Sequence, residues 1–133
     1  MTARRTARTL LVLCSLAAVA ATLSAVPVVL AASSAVQLVE VWRMVGFATF
    51  AALFALLAAR PRVSTGLWLV LIANKAVLSL SAATWLSTAA GAGQALVWDG
   101  ALTVFLATSF VLVAPWRPEP SPLRQHALEV APA

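Results

Sequence analysis

Residues 67–86, LWLVLIANKAVLSLSAATWL, form an apolar run of membrane-spanning length that carries an amide and an ammonium group, Asn74 and Lys75, at its centre. A helix needs about 20 such residues, rising about 1.5 Å each, to cross roughly 30 Å of hydrocarbon. A charge at that depth costs about 2.5 to 3.5 kcal/mol on insertion scales, so Lys75 is expected to face other helices and find a partner. The rest of the chain is read around that requirement.

Three further apolar blocks accompany this one. The four predicted helices cover about 9–32, 39–59, 66–86 and 95–114, joined by short connectors. With 62% hydrophobic and 10% charged residues in a chain of 133, and a mean hydropathy of +0.98, an ordinary soluble core is excluded. Lipid offers backbone groups no hydrogen-bond partners, and the runs lack the alternation of barrel strands, so helices are expected. Short connectors force consecutive helices to be antiparallel. The predicted fold is therefore all-α, an integral membrane up-down-up-down four-helix bundle. Residues 115–133, with five of the seven prolines, read as a mobile cytoplasmic tail.

Charge placement predicts orientation. Arg4, Arg5, Arg8, Arg60, Arg62, Arg117 and Arg124 all fall before helix 1, between helices 2 and 3, or after helix 4, and the other two connectors hold no basic residue. By the positive-inside rule both termini are expected in the cytoplasm, with the protein in the cell membrane. These seven arginines less Glu119 and Glu129 account for the whole net charge of +5. A basic balance distributed this way points to membrane orientation and not to nucleic acid. Trp42, Trp68, Trp85, Trp98 and Trp116 all lie near predicted helix ends, as an interfacial aromatic belt would place them.

Three features of the first block have a simpler reading each. Its apolar stretch is longer than the h-region of a signal peptide, so residues 9–32 are expected to stay as a helix. Arg4-Arg5 lacks the flanking residues of a twin-arginine signal, and Leu13 stands where a lipobox before Cys14 needs a small residue. Pro27 is expected to bend the helix near its end. Ala17, Ala21 and Ala25 in helix 1, and Ala51, Ala55 and Ala59 in helix 2, offer small-residue stripes for close packing. A separate stripe in helix 2 consists of Phe47, Phe50 and Phe54.

The chemistry concentrates in Glu40, Arg43, Lys75 and Asp99, whose charges sum to zero. The expectation is an intramembrane polar layer of Glu40, Arg43, Asn74, Lys75, Asp99 and Thr103, with Ser79 able to add a hydrogen bond. Asp99 is the favoured partner of Lys75 and Glu40 the second. The simpler reading of Glu40, Arg43 and Asp99 is that they are interfacial and hydrated. His126 is the single histidine and Cys14 the single cysteine, so neither a metal cluster nor an intramolecular disulfide is read from the sequence, and no cofactor is expected.

Glu40, Arg43 and Gly46 form an E-x-x-R-x-x-G opening to helix 2. Together with the Arg60-Pro61-Arg62 turn and the acidic Asp99 opening helix 4, this resembles the DoxX-like small four-helix bacterial membrane proteins. The resemblance covers helices 2 to 4 and implies a subunit of a membrane complex, in some relatives an oxidoreductase. No cofactor ligand carries over to a residue of this chain. Three function classes follow: a non-enzymatic subunit or interaction protein, with a membrane protein or a second copy as partner; a small ion- or substrate-coupled carrier; and, least supported, a membrane enzyme, since no nucleophile stands beside a base in the spans.

Overall fold

A computed structural model describes residues 2–62 and 64–116. Four helices account for most of them: α1 (Thr2–Ala31), α2 (Gln37–Ala59), α3 (Thr65–Thr84) and α4 (Ala92–Val113). All four are long and apolar enough to cross a membrane. The chain is an all-α four-helix bundle, and its helices make it a multi-pass membrane protein. The tail predicted for residues 115–133 lies, from Arg117 onward, outside the described residues.

The helix ends depart from those predicted. α1 begins at Thr2 instead of residue 9, because the arginines and alanines of its first turns form helix readily while the arginines break the apolar run there. At 30 residues it is about 45 Å long, so it outruns the hydrocarbon. α3 stops at Thr84 and α4 starts at Ala92, three residues early, after Gly91 turns the chain with φ +81°. Ser64 caps α3, its Oγ accepting from the Leu67 N–H at 3.3 Å.

The helices associate as two hairpins. α1 packs against α2 and α3 against α4, and the hairpins join along α1 and α4, whereas no Cα pair between α2 and α3 comes within 8 Å. The buried seams follow heptad spacing. In α1 Ala7, Leu11, Cys14, Ala18 and Ala25 are buried, and in α4 Ala92, Leu106, Ser109 and Val113, with Ala95, Asp99 and Leu102 partly buried between them. A period of 3.5 keeps a seam facing its neighbour in left-handed packing. Ser15 ties the first hairpin by donating to the Ala51 carbonyl at 2.9 Å.

Two expectations about faces are corrected. In α2, Ala51 is buried but Ala55 and Ala59 are exposed; the core takes Phe54, Leu57 and Ala58, with Phe50 packed against it. The phenylalanine stripe, and not the alanine stripe, turns inward, because the gap toward α3 is too wide for small side chains to fill. Trp68 is likewise no belt residue. It is 0% exposed, its Nε1 donates to the Pro61 carbonyl at 2.8 Å, and its ring packs on Phe110, centroid to centroid 5.9 Å. Trp42, Trp85, Trp98 and Trp116 are exposed as a belt requires.

Candidate functional site: an ion pair between α3 and α4

Lys75 lies ten residues after the first residue of α3 and nine before the last, so its Cα is about 14 Å from either helix end. It occupies the α3 seam with Trp68, Leu71 and Ala82, which are also buried. Asp99 occupies the α4 seam, seven residues after Ala92. The earlier start of α4 puts that carboxylate about 10 Å into the span, deeper than the 6 Å expected from the sequence. The two helices run antiparallel, so a lysine stem reaching along α3 meets the aspartate. Nζ is 2.8 Å from Asp99 Oδ1, with 5% and 17% of the two side chains exposed.

Two neighbours complete this site, and neither was assigned to it from sequence. The Phe50 ring of α2 covers the ammonium, with Nζ 4.0 Å from the ring centroid. A cation over an aromatic face is attracted by the ring quadrupole, and more strongly where water is absent. Gly100 provides the other condition: a Cβ there would lie 3.2 Å from Ser79 Oγ, so glycine allows α3 and α4 to approach at the level of the pair. A glycine directly after an acidic residue inside an apolar run was the available signal. No comparable signal marks Phe50, since phenylalanine in a membrane helix faces lipid as readily as protein.

The other members of the predicted layer are placed differently. Glu40 and Arg43 pair with each other on α2, where Arg43 is exposed and Glu40 only partly so. Among the described residues no ion pair links them to Lys75 or Asp99. Thr103 donates to the Asp99 backbone carbonyl at 2.7 Å, one turn back along its own helix, and not to the carboxylate. Asn74 is exposed. Of the six residues of the expected layer, the structure brings Lys75 and Asp99 together as a buried pair and leaves Glu40 and Arg43 as a separate pair on α2. A residue 100° away from Lys75 around α3 cannot share its inward face, which is why Asn74 points elsewhere.

Energetically the buried pair is close to balanced. Coulomb attraction at the observed separation is about 6 kcal/mol at an effective dielectric of 20. Inserting Lys and Asp into a membrane helix costs together a similar amount, about 5 to 7 kcal/mol. The pair thus selects which faces of α3 and α4 meet more than it adds stability. Several hydroxyls in the spans return to their own helix, as Thr22 does to the Ala18 carbonyl and Thr49 to that of Val45. Ser109 Oγ is buried in the α4 seam with no hydrogen-bond partner among the described residues. No group of three His, Cys, Asp or Glu side chains assembles among the described residues.

Comparison with known protein families, curated proteins and solved structures finds no match to the chain.

Proposed function

We propose that the protein is a non-enzymatic subunit or interaction protein of the cell membrane, with both termini cytoplasmic, in which the Lys75–Asp99 pair clasps α3 to α4 and the outer surface of α3 receives a partner helix. The observation that carries this reading is Asn74. Its carboxamide is exposed at the middle of a 20-residue apolar helix, and it makes no hydrogen bond to any described residue. An amide left in hydrocarbon without a partner is costly, and a neighbouring helix supplies the donor and acceptor it lacks. The resemblance to DoxX-like proteins points the same way, toward a small subunit within a membrane assembly.

The expected result is that the protein migrates as a complex in mild detergent and that Asn74→Leu releases the partner while leaving the bundle folded. Interhelical hydrogen bonds in membranes average about 0.6 kcal/mol and reach about 1.7, so a shift of roughly 3- to 20-fold in association is expected. Unchanged association in Asn74→Leu would count against the reading. A carrier, the alternative reading, requires its charges to meet substrate, whereas Lys75 is only 4% exposed and roofed by Phe50. Proteoliposomes holding the protein alone should show no coupled flux, and flux abolished by Lys75→Leu would favour the carrier.

Sidedness is tested separately. Reporters fused after Arg62 and at Ala133 should read cytoplasmic, and one inserted within residues 90–93 should read external. An external C-terminus would refute the orientation.

A further inference from the structure

Among the described residues, α3 packs on one helix: its Cα atoms come within 8 Å of α4 and of no other helix. Its buried seam is Trp68, Leu71, Lys75 and Ala82. A second seam runs one position back along the chain, through Leu67, Val70, Asn74, Val77, Ser81 and Thr84. Alternating intervals of three and four residues keep these side chains on one face and form the stripe along which two helices supercoil. The one-residue offset turns this stripe about 100° away from the Lys75 face. Val70, Asn74, Val77 and Thr84 are exposed on it, with Leu67 and Ser81 partly buried. The Asn74 carboxamide and the Ser81 hydroxyl make no hydrogen bond among the described residues, although the Ser81 carbonyl accepts from Thr84. The stripe therefore has the spacing of a helix interface and two polar groups for a partner to meet.

We infer that this stripe joins α3 to the α3 of a second copy of the chain, the two helices running parallel about a two-fold axis along the membrane normal. The inference rests on the partner helix proposed for Asn74 and says whose helix it is. A carboxamide carries both donors and an acceptor, so two of them face to face satisfy each other by reciprocal hydrogen bonds. A carboxylate or an ammonium in that place would repel its own copy, and the charge nearest to it, Lys75, is turned toward Asp99 inside its own bundle. Copies inserted in one orientation set each residue of a two-fold stripe opposite itself. Amide then meets amide at equal depth by construction, whereas a different membrane protein would need its own polar group at that level. Asn74 lies nine residues after Thr65 and ten before Thr84, at mid-span, where a protein partner is worth most because water is absent. Val70 and Val77, one stripe position to either side, are β-branched and stiff, and a single asparagine in such a stripe fixes register and the number of helices.

The test uses the full chain purified alone in mild detergent, with energy transfer between donor- and acceptor-labelled copies and cysteine cross-linking beside it. Transfer should rise with the ratio of protein to detergent. Asn74→Leu, which removes two hydrogen bonds at once, should weaken pairing about tenfold, and Asn74→Gln, which keeps the amide, should stay within about threefold of wild type. Val70→Cys and Val77→Cys should each oxidise to a disulfide-linked dimer, because a bridge needs Cα atoms about 4.4 to 6.8 Å apart and facing stripe residues come that close. Leu69→Cys and Leu80→Cys, also exposed but about a quarter-turn round the helix, should not. Wild type sets the background, since its one cysteine, Cys14, is buried. A monomer at every protein-to-detergent ratio would overturn the inference, as would cross-linking at Leu69 and Leu80 equal to that at Val70 and Val77. The underlying reading fails differently. If the chain taken from its own membrane loses another protein on Asn74→Leu yet never pairs with itself, Asn74 still receives a partner and the second copy is overturned. If Asn74→Leu alters no association of either kind, both fall.

Discussion

Lys75→Leu and Asp99→Leu, made singly, should each destabilise the bundle by about 3 to 5 kcal/mol, and the double change to leucine should recover most of that loss. Each single change removes one charge and strands the other in the seam between α3 and α4, where Nζ and Oδ1 now stand 2.8 Å apart. The double change removes both insertion costs and leaves two apolar side chains where two seams meet. The singles differ from one another. Asp99→Leu strands an ammonium that still has the Phe50 ring above it, while Lys75→Leu leaves a carboxylate with no cation near it among the described residues. Lys75→Leu should therefore be the more damaging. The measurement is the folded fraction and steady-state amount of each variant in the membrane. A double variant no better than the worse single would show that the pair does not clasp the helices. A double variant that folds while the cell still shows the deletion phenotype would move the charges from architecture to function and strengthen the carrier reading.

That expectation depends on how the pair was legible at all. Lys75 in the middle of an apolar run demanded a partner by cost alone, and Asp99 was the nearest carboxylate on the helix joined to it by a short loop. The number of helices was equally plain, since each apolar block matches the thickness of a bilayer. Facing was harder to read. In water a helix announces its buried side by leaving the other polar, but in lipid both sides are apolar, so nothing in the residue types marked Phe54 as inward and Ala55 as outward. The 3.5-residue spacing of the α1 and α4 seams was present in the sequence, but so many alanines and leucines satisfy such a spacing that several registers fit equally well. Which members of the polar layer meet was hidden for a related reason. Depth along a helix follows from residue number, whereas direction around it depends on packing, so Asn74 and Lys75 share a level and not a face.

The second large effect is expected at Trp68, where depth and direction again part. Its position near a helix end fits an interfacial belt, for which truncation would matter little. Its burial, its tilted ring contact with Phe110 and its bond to the Pro61 carbonyl instead make it the peg between the α2–α3 turn and the α4 helix. Trp68→Ala should cost about 3 to 5 kcal/mol, from the lost contacts and the cavity left under the turn. Trp68→Phe keeps most of the ring and loses the indole donor, so the Pro61 carbonyl is left unpaired at a cost of about 1 to 3 kcal/mol. Trp42→Ala is the comparison, because Trp42 is 78% exposed and no described ring contact or hydrogen bond involves it. That change should move the unfolding midpoint in detergent little. The order expected is Trp68→Ala, then Trp68→Phe, then Trp42→Ala. Equal midpoints for Trp68→Ala and Trp42→Ala would return Trp68 to the lipid belt and detach the arginine turn from the core.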